Sequence, residues 1–192
     1  MAFDALGAAV HAAKFVQRNR VKSLALLLAF TALVSLAAGI VDKFVFMMLI
    51  AAELVLAFFL GEWQLRKVGI ELVTFVTVLV GFAYGPSIGL AIGGALVALH
   101  FVLARNLGPH LVYCVPAMAA VGFAAGYHAA LPFGSMAVLG VALSAMYNLL
   151  TGAIGTLMFN DLPDELVWGA TNFALNYFMF TAMAPAIIAA VS

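Results

Sequence analysis

The last long apolar segment of the chain carries polar side chains at helical spacing. Trp168, Asn172 and Asn176 follow one another at intervals of four residues, so a helix would place them on one face. An asparagine amide both donates and accepts hydrogen bonds, and an indole ring offers a flat stacking surface. This combination is suited to holding a small aromatic or heterocyclic molecule in a cavity.

The preceding apolar segment carries a second polar stripe, which consists of Ser144, Asn148 and Thr151, with Tyr147 beside it. Two polar stripes on consecutive segments are compatible with two interpretations. The stripes either line a ligand cavity together, or they form hydrogen bonds that clamp the two helices to each other.

Glu53 stands near the centre of the apolar run 44–61, where an ionisable side chain is costly and usually faces the bundle interior or a wet cavity. It is a candidate proton or ion site, or alternatively a structural glutamic acid that burial keeps neutral. No lysine or arginine lies within the apolar runs as an evident partner. Glu71 lies near the end of its run, so we expect its carboxylate to reach the membrane interface.

Metal and nucleotide chemistry have little support in the sequence. His100 and His128 are isolated, His110 lies in a turn-like stretch, and no H-x-x-x-H or H-E-x-x-H spacing occurs. The single Cys114 excludes a cysteine-only metal cage. No lysine follows a glycine, which excludes a P-loop, and no G-x-S-x-G motif is present. We therefore predict a protein that is not an enzyme and has no metal or other cofactor.

The elements that position these residues are apolar runs, each about long enough to cross a bilayer at ~20 residues per span. The chain has only eight basic and eight acidic residues in 192, 67% of its residues are hydrophobic, and the mean hydropathy is +1.19. Soluble domains contain about 45–50% apolar residues. The formal net charge of zero gives no reason to expect a nucleic-acid partner. We expect an integral membrane protein surrounded by lipid.

The spans are expected to be helices, because open strands leave backbone groups unpaired in lipid. Breaks between them fall at the Asp42–Lys43 pair, the EWQLRK loop, Gly85–Pro86, NLGPH, Leu131–Pro132 and NDLPDE. Seven spans result, at 23–41, 44–61, 68–84, 86–104, 111–131, 134–159 and 165–191. The predicted fold is an all-α polytopic membrane bundle of six to seven transmembrane helices.

The first 22 residues mix basic side chains with Ala, Val and Phe, a pattern typical of an amphipathic helix at the membrane interface. Residues 23–192 are expected to form a single transmembrane domain. With seven spans and a cytoplasmic N-terminus, Lys43 is the one basic residue that falls outside.

Small residues form stripes at intervals of four in three segments. Gly85, Gly89 and Gly93 form one stripe, Gly122 and Gly126 form the second, and Ala25 and Ala29 form the third. Helices in lipid associate through close packing of small residues. Such stripes therefore either pack inside the bundle or provide a docking face for a partner protein.

Four stretches of the chain carry a family resemblance. They are RKVGIELVTFVTVLVGFAYGPSIGLAIGGAL, NLGPHLVYCVPAMAAVGFAAGY, MYNLLTG and ATNFALNYFMFTA. In this order they resemble the second and third helices, the third loop and fourth helix, the fifth helix and the asparagine-bearing final helix of S-components. S-components are the substrate-binding membrane subunits of energy-coupling factor (ECF) vitamin transporters. The resemblance covers about residues 44–191.

This resemblance implies a six-helix protein of a prokaryotic plasma membrane that captures a vitamin-like small molecule on the outer side. Its partners besides the substrate and membrane lipid would be a transmembrane coupling protein and two cytoplasmic ATPases. The resemblance places ligand contacts at Asn106, His110, Tyr113, Asn148, Trp168, Asn172 and Asn176, to which the second stripe adds Tyr147.

Two other functions are compatible with the sequence. MreD-like scaffold proteins of cell-shape complexes are similar in size and in their polar final helices, and they bind partners without a small molecule. A small ion- or proton-coupled carrier could use Glu53 in its core. The orientation is also open, because matching the last six spans to S-components puts the acidic NDLPDE loop outside, opposite to the side that the basic residues favour.

Overall fold

The computed structural model describes residues 41–63, 65, 68–159 and 162–191. Every regular element in these ranges is helical, which confirms the predicted all-α class. The predicted amphipathic helix 1–22, nearly all of the predicted span 23–41, and Ala25 and Ala29 lie outside the described residues.

Seven α-helices and two short helical turns make up the described ranges. The helices are α1 (Val41–Glu62), α2 (Val73–Tyr84), α3 (Pro86–Leu103), α4 (Leu111–Gly126), α5 (Met136–Phe159), α6 (Leu162–Phe178) and α7 (Ala184–Val191). A 3-10 turn, His128–Ala130, follows α4, and a π-helical turn, Met179–Met183, joins α6 to α7.

Four helical stretches in the described ranges are long and apolar enough to cross a membrane. They are Phe44–Glu62, Pro86–Leu103, Met136–Phe159 and Leu162–Ala189. The helices α2 and α4 are also apolar but shorter. The protein is therefore an all-helical membrane protein with four candidate membrane-spanning helices in its described part.

Helix α2 lies at the centre of the bundle. All residues from Val73 to Gly81 are buried, and α2 contacts α1, α3, α4, α5 and α7. The helix can occupy this place because its side chains are apolar on every face. The residues directly before α2 are thereby drawn into the interior of the bundle.

Helices α3 and α4 pack with their backbones in contact through glycines. A Cβ atom added at Gly93 would lie 2.6 Å from the Met118 carbonyl oxygen, and one at Gly89 would overlap the Gly122 carbonyl oxygen. Gly89 and Gly93 therefore pack inside the bundle, which is the alternative that the sequence left open beside partner docking. Gly85 differs from them, because its φ is 90° and a Cβ atom added there would meet no atom within 4 Å; docking at Gly85 stays a prediction.

Three predicted boundaries are wrong for local reasons. Helix α2 begins at Val73 rather than at 68, because Gly69 has a φ of 71°, which a helix does not accommodate. Asp42 and Lys43, predicted as a break between two spans, lie within the first turn of α1. Helix α4 ends at Gly126 rather than at 131, because the chain enters the 3-10 turn there.

The last turn of α1, the loop after α3 and the last turn of α5 lie at one end of the bundle. The Arg105 guanidinium donates a hydrogen bond of 3.0 Å to the Glu62 carboxylate, and the His110 ring lies edge-on to Phe159 at 5.7 Å between centroids. Trp63 is exposed beside them, as expected of a tryptophan at a membrane interface. We call this end the charged face, and its described charged residues are Glu62, Arg105, Asp164 and Glu165.

Candidate functional site

The three asparagines of α5 and α6 form one hydrogen-bonded cluster. The side-chain amide of Asn148 donates to Oδ1 of Asn172 at 2.9 Å, and that of Asn176 donates to the same oxygen at 3.1 Å. Asn172 and Asn176 are completely buried. The bond between Asn148 and Asn172 joins the two helices, as the clamp interpretation expects, and substrate contact at these residues stays a prediction.

Asn172 also holds the segment that precedes α2. Its Nδ2 donates to the Gly69 carbonyl oxygen at 3.2 Å and to Oε1 of Glu71 at 2.6 Å. Gly69 approaches α6 so closely that a Cβ atom there would collide with the Trp168 carbonyl oxygen. Asn172 is thus the residue at which α5, α6 and the start of α2 are connected.

Glu71 is buried, so the expectation that its carboxylate reaches the interface is wrong. The carboxylate accepts hydrogen bonds from the Thr74 backbone at 3.2 Å, from the Thr74 hydroxyl at 2.8 Å, and from Asn172. These three donors offset the loss of water around the buried group. The Glu71 carboxylate caps the first turn of α2, because it accepts hydrogen bonds from Thr74, three residues later. This three-residue spacing is the sequence signal from which the buried position of Glu71 could have been predicted.

Glu53 is completely buried and has two partners from other elements. Its Oε1 lies 2.5 Å from Nδ1 of His100 on α3, and its Oε2 accepts a hydrogen bond of 2.6 Å from the Leu72 backbone N–H. A carboxylate in contact with an imidazole is a pair that can hold and exchange a proton. Sequence reasoning missed this pair because it searched for a lysine or arginine, and because 47 residues separate His100 from Glu53.

A single polar network therefore runs through the apolar bundle. Glu53 binds the backbone of Leu72, the neighbouring Glu71 binds Asn172, and Asn172 binds the other two asparagines. The network connects α1 and α3 to α5 and α6 through the four residues from Gly69 to Leu72. Chemically, such a network can position a polar molecule, hold a proton, or link the binding of the molecule to the binding of the proton.

The aromatic residues predicted to contact a substrate form two groups of ring contacts. Tyr147 and Trp168 meet edge to face with centroids 6.3 Å apart. On the charged face, Nδ1 of His110 lies 3.2 Å from the Tyr113 hydroxyl, and its ring stacks on Phe101. Burial lowers the pKa of His110, which favours its neutral imidazole form.

The residues that the sequence singled out for substrate contact thus fall into three contacting groups and one loop position. The groups are His110 with Tyr113, Tyr147 with Trp168, and Asn148 with Asn172 and Asn176. Asn106 is half-buried in the loop before α4, where its backbone N–H donates to the Phe101 carbonyl at 2.9 Å. Among the described residues, no three His, Cys, Asp or Glu side chains are grouped so as to hold a metal ion.

No protein-family model matches the chain, and no curated protein and no solved structure matches it either.

Proposed function

We propose that this protein is a membrane-embedded substrate-binding subunit for the uptake of a vitamin-like small molecule. The observation that carries the proposal is the polar network of Glu53, Glu71 and the three asparagines inside an otherwise apolar bundle. Buried ionisable and amide groups are expensive in a membrane, and they mark substrate or ion pathways. The residues of this network come from helices that are distant in sequence, as in a binding site built in the core of a bundle.

The order of the helices supports the same proposal. The described helices α1 to α6 provide one element for each of the six helices that the S-component resemblance implies. No nucleotide-binding motif occurs in the sequence, so energy would come from a separate transmembrane coupling protein with two cytoplasmic ATPases. The site would then face the outside of a prokaryotic plasma membrane at the charged face.

Mass spectrometry of small molecules that purify with the detergent-solubilised protein tests this function. We expect one compound in nearly equimolar amount, because a site lined with buried amides and aromatic rings retains a fitting ligand. Denatured and refolded protein, exchanged into fresh detergent, is the control for compounds that partition into the micelle. Absence of any enriched compound from the native protein, together with no association with an ATPase pair, would contradict the proposal.

A second candidate function, a proton-coupled carrier, is favoured by the contact between Glu53 and His100. In a carrier, Glu53→Gln is expected to abolish uptake that responds to an imposed pH gradient, because glutamine cannot release a proton. The matched control is Glu62→Gln, at an exposed carboxylate of the charged face. Under our main proposal, uptake requires the ATPases and persists in the absence of a pH gradient. Uptake that needs the gradient and ignores the ATPases would instead establish the carrier.

A further inference from the structure

The three asparagine amides of α5 and α6 are oriented by backbone carbonyl groups, which can only accept hydrogen bonds. Nδ2 of Asn148 lies 2.9 Å from the Ser144 carbonyl oxygen. Nδ2 of Asn172 lies 3.2 Å from the Gly69 carbonyl oxygen, and Nδ2 of Asn176 lies 3.0 Å from that of Asn172. Each of these nitrogens also has a second acceptor, so both of its hydrogens are used. The donor end of every amide is therefore bound by the protein itself.

The oxygens of these amides divide into two kinds. Oδ1 of Asn172 accepts hydrogen bonds from both of the other asparagines, at 2.9 and 3.1 Å. Oδ1 of Asn148 and Oδ1 of Asn176 are shielded from solvent and accept no hydrogen bond in the described part of the protein. We call these two atoms the unpaired amide oxygens. A buried acceptor without a donor costs free energy, and a bound molecule that supplies an N–H or O–H group removes this cost.

The unpaired amide oxygens are close enough for one small molecule to contact both. The nitrogens of the same two amides are hydrogen-bonded to a single atom, Oδ1 of Asn172. Both oxygens therefore lie within a few ångströms of that atom. Asn176 is completely buried, whereas Asn148 is half-buried. A molecule would thus approach the two oxygens from the side of Asn148.

Aromatic side chains lie on the same two helices, within one turn of the asparagines. Trp168 precedes Asn172 by four residues on α6, and Tyr147 is adjacent to Asn148 on α5. The Tyr147 and Trp168 rings meet edge to face with centroids 6.3 Å apart. Aromatic surfaces with a few well-placed polar groups are the usual composition of a site for a small flat molecule.

We infer that the substrate of this site is a flat heterocycle with N–H donors along one edge, as in a cyclic urea or a lactam. Oδ1 of Asn148 and Oδ1 of Asn176 accept its hydrogen bonds. The inference rests on the proposed function, because it names the substrate class of that same site. Since the donor ends of the amides are occupied, a molecular edge that offers only acceptors has no partner among these three amides.

Three uncharged probes with one ring system test this substrate class on the intact wild-type protein, exchanged into fresh detergent. 2-Benzimidazolinone has two N–H donors, its 5,6-dimethyl derivative keeps both, and the isomeric 1,3-dimethyl derivative has none. Binding is measured as the rise in Tm with probe concentration. We expect the 5,6-dimethyl isomer to bind at least about tenfold more tightly than the 1,3-dimethyl isomer. Equal or tighter binding of the 1,3-dimethyl isomer, or no response to any of the three probes, would overturn the inference.

Asn148→Leu and Asn176→Leu test the residue assignment. Either substitution removes one unpaired amide oxygen and leaves Oδ1 of Asn172 with one of its two donors. We expect the ratio of affinities for the two dimethyl isomers to fall in each variant from at least about tenfold to less than about threefold. A purely structural role would weaken the binding of both isomers alike and leave the ratio unchanged.

The matched control is Thr181→Val in the π-helical turn after α6. It removes an exposed hydroxyl group that donates to the Tyr177 carbonyl at 2.7 Å, and its affinity ratio should equal that of the wild type. A wild-type ratio in both asparagine variants would overturn the assignment of Asn148 and Asn176. Size-exclusion chromatography shows whether each variant is folded, and the ratio in the wild-type protein tests the substrate class without any variant.

Failure of this inference is distinguishable from failure of the proposed function. A compound that purifies with the protein and has no N–H or O–H donor would overturn the inference and leave the binding function standing. A flat compound with such donors would support both. No purified compound, with no response to any probe, would overturn both and leave water, or a donor from elsewhere in the chain, as the partner of the unpaired amide oxygens.

Discussion

The substitution Asn172→Asp is expected to destabilise the protein by at least about 3 kcal/mol. The shape of the side chain is conserved, but the donor Nδ2 is replaced by an oxygen that faces the Gly69 carbonyl and the Glu71 carboxylate. Each buried group left without its partner costs about 1–3 kcal/mol. In a chain of this size that corresponds to a fall in Tm of about 6–12 °C, measurable by thermal unfolding in detergent.

The matched control is Asn106→Asp, at a half-buried residue in the loop before α4. We expect the Tm of this variant to differ from that of the wild type by less than about 2 °C. Lowering the pH should restore part of the lost stability in the Asn172→Asp protein, because a protonated carboxyl group again offers a donor to Glu71. The binding of the purified compound should be lost as well. A Tm within about 2 °C of wild type would show that the network does not depend on this amide.

The neighbouring glycines Gly93 and Gly94 of α3 are expected to respond differently to substitution by alanine. A Cβ atom at Gly93 would lie 2.6 Å from the Met118 carbonyl oxygen and 2.7 Å from Cγ2 of Thr77, whereas one at Gly94 would lie 3.5 Å from Cβ of Ala119. Overpacking costs about 1–3 kcal/mol, and replacing a helical glycine by alanine gains about 0.5–1 kcal/mol. Gly93→Ala should therefore lower the Tm by several degrees, while Gly94→Ala leaves it unchanged or raises it.

Gly122→Ala extends this test to the other helix of the contact. Its Cβ atom would overlap the Gly89 carbonyl oxygen, which belongs to a backbone that cannot rotate away, and would lie 2.9 Å from Cγ2 of Thr77. We expect the Tm to fall at least as far as in Gly93→Ala. Equal melting temperatures for the Gly93→Ala, Gly94→Ala and wild-type proteins would contradict the close backbone contact between α3 and α4 at Gly93.

Several features of the fold were predictable because their physical causes are local. Apolar runs of bilayer length become helices, and proline after glycine begins a new one, as at Gly85–Pro86. The spacing of Asn172 and Asn176 alone placed them on one face of a helix. The sequence was compatible with two roles for this face, a hydrogen-bonded clamp between helices or the wall of a ligand cavity. The hydrogen bond from Asn148 to Asn172 shows that the two polar stripes meet.

The sequence could not locate the partners of the buried charges. Glu53 and His100 are 47 residues apart, and Asn172 and Glu71 are 101 apart, so no helical periodicity relates them. The contact of Gly69 with α6 could not be predicted for the same reason. The apolar pattern alone predicted one continuous helix from 68 to 84.

By itself, then, the sequence determined a helical membrane protein, most of its breaks and the polar face of α6. Only the tertiary structure decided that Glu71 is buried, that Glu53 is paired with His100, and that Gly89 and Gly93 are used for packing inside the bundle. The physical reason is that hydrophobicity and backbone preference act over a few neighbouring residues. A hydrogen bond or a close helix contact depends instead on which distant helices become neighbours.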